Sequence, residues 1–192
     1  MRYTSKHRAE TRERIVAAAS RAIRERGLTE ASVDHIMGRA GLTHGAFYHH
    51  FADRDALIAA AVPAATSRHV FPDDIDAESM LATYCSAAHV ASPGAGCVLA
   101  ALATEAVHHP AAPVRAAFAE GARGFLSHVA RVLRAPDAAN AGAGGTAARA
   151  DAAVNVGDDA LALASRMLGA VILARLVDDA RLASRILAAA RR

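Results

Sequence analysis

The chain is short of aromatics. Its 192 residues include no Trp, three Tyr and five Phe, 4% in all. Two cysteines, Cys85 and Cys97, are too few for a disulfide framework or a cysteine-rich metal site, and reduced thiols are the expected state. Long apolar runs are missing too. The longest, CVLAALA (97–103) and MLGAVILA (167–174), fall far short of the roughly 20 residues a membrane-spanning helix needs. The N-terminal MRYTSKHRAETRER has no apolar h-region, so no secretory signal is expected and a soluble cytoplasmic protein follows. No alternating β-branched run points to strands. Neither HExxH nor a Cys/His zinc spacing occurs, and G-x-S-x-G, P-loop and Rossmann glycine patterns are lacking. These absences argue against an enzyme and against a metal or cofactor. Ten His include the adjacent pairs His49–His50 and His108–His109, but adjacent histidines diverge on a helix and rarely share an ion.

What is abundant is alanine, about a quarter of the chain, which favours helix and buries little surface. An all-α protein is the expectation. The net charge of +3 is uneven. Residues 1–30 hold eight Lys or Arg against four Glu, which gives +4 there and −1 for the rest. A basic end on a near-neutral body suits a polyanionic partner at that end, although a solvated basic helix has the same composition.

Periodicity and caps predict a first helix over 8–26 with Ile15, Ala19, Ala22 and Ile23 on one face, closed by Gly27. Ser32 caps a short helix to Ala40, with Asp34 near its positive end and Val33, Ile36, Met37 and Ala40 as its apolar stripe. Gly41 breaks it. Thr43 starts another over 44–51, and Asp53 starts a third over 54–62, which Pro63 bends or ends. Longer Ala-rich helices are expected over 76–91, 96–108, 113–134, 157–176 and 178–190. Residues 136–156, low in bulky side chains, read as a loose loop. The chain thus divides into a small N-terminal unit, 1–51, and a larger helical body, 52–192.

Against this aromatic poverty, Phe47, Tyr48, His49, His50 and Phe51 stand in a row. Five consecutive rings cannot share one core. SVDHIMGRAGLTHGAFYHHF has the form of a helix-turn-helix, two short helices meeting at Gly41. Ile36, Ala40, Leu42 and Phe47 are spaced to lock them to each other and to the first helix, and Phe51 plugs the junction with the body. Tyr48 lies about 100° round from Phe47 and points elsewhere. An outer surface of Thr43, His44, Gly45, Tyr48 and His49 suits a major groove, where hydroxyls and imidazoles bond phosphates or base edges and a glycine admits close approach. The same pattern also fits a helical hairpin with one face in water.

The run from Arg8 to Ile58, with its Arg- and Ala-rich first helix, then ASVDHI, AGLTHGAFYHHF and DRDALI, resembles the DNA-binding domain of the TetR family of bacterial transcription regulators. The resemblance covers about a quarter of the chain. It implies that Ser32, Thr43, His44, Gly45, Tyr48, His49, His50 and Arg54 stand where members of the family commonly meet DNA. Tyr48 and Arg54 match phosphate-contacting positions; Thr43, His44 and His49 match positions that often face bases. The chain departs from the usual pattern with Met37 in place of a small Ala, Arg54 in place of Lys, and the pair His44 and His49.

The resemblance also implies a homodimer held by the last two helices, a double-stranded DNA operator and a small-molecule effector bound in the body. Leu161, Leu163, Met167, Leu168, Val171, Ile172 and Leu176 make the penultimate helix apolar over much of its girth, Gly169 and Ala170 permit close helix approach, and Leu182, Ile186 and Leu187 continue the stripe. Candidate effector-binding residues are Tyr84, Cys85, His89, Cys97, Leu99, Leu102, Phe118, Phe125 and His128, each of which suits ordinary core packing as well. Cys97, at a helix start, is either a reactive thiol or an inert buried one. The expected function is a ligand-responsive regulator, a repressor released from a palindromic operator. The alternatives are an activator or ligand-independent regulator of the same fold, and a small-molecule-binding helical protein without DNA binding.

Overall fold

The computed structural model describes residues 5–66, 71–72, 74–134 and 156–192. Among them are ten α-helices and no strand: α1 Ser5–Glu30, α2 Val33–Arg39, α3 His44–Phe47, α4 Arg54–Ala61, α5 Ala77–Tyr84, α6 Ala87–Ala91, α7 Val98–Val107, α8 Ala112–Arg134, α9 Asp158–Leu176 and α10 Ala180–Ala190. The loose loop expected over 136–156 lies, save its last residue, outside the described residues. No described helix is long and apolar enough to cross a membrane. The helices form two compact units, one of residues 1–70 and 91–122 and one of 71–90 and 123–192.

In the first unit α1 is the axis. It packs on α2, α4, α7 and a 3₁₀ turn at Pro93–Ala95. Its predicted face is its buried face, since Ile15, Ala19, Ala22 and Ile23 are all fully enclosed. The helical path breaks at Gly27, whose φ of 91° an L-residue adopts only with strain. The break exposes the Leu28 N–H, which donates to Glu105 Oε2 of α7 at 2.7 Å. Arg24, one turn earlier, donates through Nε and Nη2 to the Gly94 carbonyl. Pro63 opens a second 3₁₀ turn, Pro63–Ala65, at the end of α4.

In the second unit α9 packs on α10 and on α5. The single helix expected over 76–91 is two helices, because Cys85 leaves the helical region at φ −88° and ψ 49°. At the break Ser86 Oγ accepts from the His89 N–H at 3.1 Å and the His89 ring donates through Nδ1 to the Tyr84 carbonyl at 2.6 Å, while at the far end of α6 Arg175 of α9 donates to the His89 and Val90 carbonyls at 3.0 and 3.3 Å. Tyr84, fully buried, sits among rings: Phe71 at 5.8 Å, Phe125 at 5.7 Å and His89 edge-on at 4.6 Å, with His128 stacked on Phe71 at 5.5 Å.

Two histidines are held towards the neutral form. Burial pushes the His89 imidazole below its ordinary range; its hydrogen bond to the Tyr84 carbonyl works against this, and Arg175 adds to it. His50 is depressed by desolvation and then by the nearby charges of Arg8, His49 and Arg12. A base whose folded-state pKa is depressed takes up its proton first in the unfolded chain. Stability is therefore full above about pH 6.5, where the unfolded imidazole is neutral, and falls as the pH drops below it. Denaturant midpoints measured between pH 7.5 and 5.5 are expected to decline, and His89→Asn to flatten the decline. An unchanged slope in that variant would remove His89 from the explanation.

Candidate nucleic-acid interface

The site is built by the turn between α2 and α3. Ser32 Oγ accepts from the His35 N–H at 3.2 Å and caps α2. At the other end Gly41 has φ 68°, its N–H donates to the Gly38 carbonyl, and the Leu42 N–H donates to that of Met37. These two bonds are a Schellman closure, which requires a left-handed residue at Gly41 and sends the chain off sharply. Arg14 of α1 donates to the Ala40 carbonyl at 2.6 Å and fastens the turn to the axis.

Helix α3 is a single turn. The helix expected to reach Phe51 ends at Phe47 and continues as tight turns, with His50 N–H donating to Phe47 O and His49 N–H to Ala46 O. Phe47 is buried at 1% exposure and Phe51 at 5%, their rings stacked at 5.9 Å. Tyr48 between them is 65% exposed, the Phe47 ring meeting it edge-on at 5.1 Å. Thr43, at the N-cap of α3, makes no capping hydrogen bond and is exposed, as are His44, Gly45 and His49. A Cβ on Gly45 would meet nothing within 4 Å, so packing does not require the glycine. His44 lies beside Tyr48, ring centroids 5.8 Å apart, and its Nδ1 is 2.5 Å from Asp34 Oδ1 of α2. His50 is half-buried, with an enclosed Nδ1 that makes no hydrogen bond.

Three arginines of α1 hold this segment. Arg8 donates to the His49 carbonyl at 2.8 Å, Arg12 lies over the Phe51 ring at 4.8 Å, and Arg14 takes the turn. In the sequence these residues stand out only as basic charge. The (i, i+4) spacing of Arg8 and Arg12 was the available signal. The sequence pattern marks Asp34 only as a favourable charge at the start of α2. Arg54, at the start of α4, spends its guanidinium on the main chain: it donates to the carbonyls of Leu28, Thr29 and Ala31.

The candidate effector residues fall into two groups. Tyr84, Cys85, His89 and Phe125, together with His128, lie in the second unit; Cys97, Leu99, Leu102 and Phe118 lie in the first. All except His89 are buried, and burial pushes the Cys85 thiol above its ordinary range.

Residues 15–61 match the family model of bacterial regulatory proteins, tetR family. Over 54 residues the chain is 44% identical to the HTH-type transcriptional repressor BepR of Brucella suis biovar 1 (strain 1330), which is 28% of this chain and 26% of that protein. The chain thus spans about a quarter of the length of that relative. Its fold is similar to that of E. coli NemR in the reduced form, with a TM-score of 0.68 and 21% identity over 95% of this chain and 93% of the other. It is similar as well to a TetR-family regulator from Rhodococcus sp., with a TM-score of 0.61 and 20% identity over 94% and 96%. The matched N-terminal segment, with its buried Phe47, its Gly41 turn and its capped α2, is thus similar to the DNA-binding segment of bacterial regulatory proteins of the tetR family.

Proposed function

We propose that the chain is a ligand-responsive transcriptional regulator that works as a homodimer, a repressor released from a palindromic operator by a small-molecule effector. Residues 1–51 meet the DNA; residues 52–192 hold the effector and the partner copy. The reading rests on one observation above all: Tyr48 stands in water between two buried rings, on a segment that Arg8, Arg12 and Arg14 fasten from behind. An exposed ring that touches only Phe47 and His44, flanked by Thr43, His44, Gly45 and His49, is what a groove-facing helix start offers a duplex. Ser32, His50 and Arg54 border it.

Dimerisation is supported by α9 and α10. Leu161, Leu173 and Leu176 of α9 remain exposed, the last at 74%, as does Leu182 of α10. Gly169 lies along the same side of α9, and a Cβ there would meet nothing within 4 Å. A second copy laid on this stripe would remove it from water. A homodimer on a near-palindromic operator meets half-sites about one DNA turn apart, roughly 34–36 Å or somewhat more. The rings around Tyr84, together with Cys85, His89 and Phe125, are the proposed effector-facing group in the second unit, with Cys97, Leu102 and Phe118 in the first. An effector needs to supply only about 1–3 kcal/mol of coupling to release the operator.

Selection from random duplexes tests the reading. An enriched inverted repeat whose binding weakens steeply with salt is expected, because phosphate contacts release counterions. No enrichment at low salt would favour a helical small-molecule binder instead. Gly45→Ala is expected to leave melting unchanged or slightly raised and to weaken operator binding. Undiminished binding would mean that the backbone there stays clear of the duplex.

A further inference from the structure

We propose that Asp34 is a specificity-determining positioning residue: its carboxylate fixes the tautomer of His44 and thereby decides which base edge this chain reads. The inference rests on the DNA-binding reading above and adds to it the chemistry of one contact.

His44 is the first residue of α3, and base edges are met by the N-terminal residues of a recognition helix. Its Nδ1 stands 2.5 Å from Asp34 Oδ1. The two residues belong to different helices, so the pair bridges the α2–α3 turn. An ionised carboxylate only accepts hydrogen bonds, so the shared hydrogen belongs to Nδ1. In the neutral ring Nε2 is then a bare lone pair. Tyr48 lies beside the imidazole, ring centroids 5.8 Å apart. A lone-pair acceptor in the major groove pairs with the amino groups of adenine N6 or cytosine N4 and is repelled by guanine O6 and N7. Remove the carboxylate, and the ring is free to carry its hydrogen on Nε2, where it donates to guanine.

Asp34 has no comparable duty in the fold. Ser32, not Asp34, makes the capping bond of α2, and the Asp34 side chain is 77% exposed. A solvent-facing pair of this kind adds little stability. A carboxylate beside a duplex also repels phosphates, so it would not be placed there to strengthen binding. Beyond its favourable charge in the first turn of α2, which needs no contact with His44, directing that ring is the work that remains for it.

Two measurements on the full chain test the proposal. The first uses no DNA. Long-range proton–nitrogen NMR at alkaline pH is expected to show His44 with hydrogen on Nδ1 and a bare Nε2, and Asp34→Ala to move it towards the Nε2–H form. A wild-type His44 already in the Nε2–H form overturns the proposal. The second is duplex selection with wild type, Asp34→Ala and Asp34→Glu. Wild type is expected to prefer adenine or cytosine at one position of each half-site. Asp34→Ala is expected to shift that position towards guanine by on the order of ten-fold, with the preferences at the other positions kept and the non-specific affinity raised by the lost repulsion. Asp34→Glu, which restores a carboxylate, should return the wild-type preference. Identical base preference in wild type and Asp34→Ala overturns the proposal. If the wild-type chain selects no sequence, the DNA-binding reading fails beneath it, and the tautomer spectrum distinguishes that failure from an error about Asp34.

Discussion

Phe47→Ala is expected to lower stability by about 3–5 kcal/mol, while Tyr48→Ala, one residue along, leaves it nearly unchanged. The contrast follows from the α3 turn. Phe47 is enclosed, its ring stacked on Phe51, and truncation removes its buried surface and leaves a cavity that the packed α1 and α2 cannot fill. Tyr48 buries little, and its loss costs the edge contact with Phe47 and the tilted contact with His44. Duplex binding should follow a different order. Tyr48→Ala is expected to weaken binding to every sequence by about the same factor, as the loss of a phosphate contact does, with the fold intact. Chemical denaturation and a salt-controlled binding titration on the same two variants check both halves. Equal stability losses would place Tyr48 in the core and remove the reason for reading it as a groove contact.

The second large effect is expected at Arg54. Its guanidinium meets three carbonyls at the α1–α2 junction, and Arg54→Ala leaves two part-buried acceptors, those of Leu28 and Ala31, without it. Hydrogen bonds to a charged donor contribute about 1.5–3 kcal/mol, and a loss of about 2–3 kcal/mol is expected for the set. Arg54→Lys should recover little, because one ammonium cannot span carbonyls that a planar fork reaches together. The junction is held from both sides, since Leu28 also gives its N–H to Glu105 of α7. The reading of Arg54 as a phosphate contact predicts weaker duplex binding in addition to the stability loss. Denaturation of Arg54→Ala and Arg54→Lys measures the structural share. A stability equal to wild type would show that the carbonyl contacts hold nothing.

Local pattern carried much of this structure. The face of Ile15, Ala19, Ala22 and Ile23, the capping bond of Ser32, the left-handed turn at Gly41 and the burial of Phe47 beside an exposed Tyr48 are all set within a few residues, and spacing alone reveals them. Contacts made by long side chains across the chain were not legible. Arg8 reaches a carbonyl 41 positions away and Arg54 carbonyls 23 to 26 away; periodicity says nothing about where a guanidinium ends. The break at Cys85 was hidden for a related reason. The short helix that follows it is held at its end by Arg175, far along in α9, while the local residues of 76–91 favour helix throughout. The effector-binding candidates stand out by residue type, and type does not decide which helices gather them. Tyr84 and Phe125 came together, whereas Cys97 and Phe118 belong to the other unit.

The most direct test of the central claim is an NMR titration of the labelled chain with its selected duplex. Signals of Thr43, His44, Gly45, Tyr48 and His49 are expected to shift or broaden first and most strongly, with those of Tyr84 and Phe125 hardly moving at the earliest additions. Saturable binding that leaves every signal between Gly41 and Phe51 in place would contradict the account, because the duplex would then be held by some other surface.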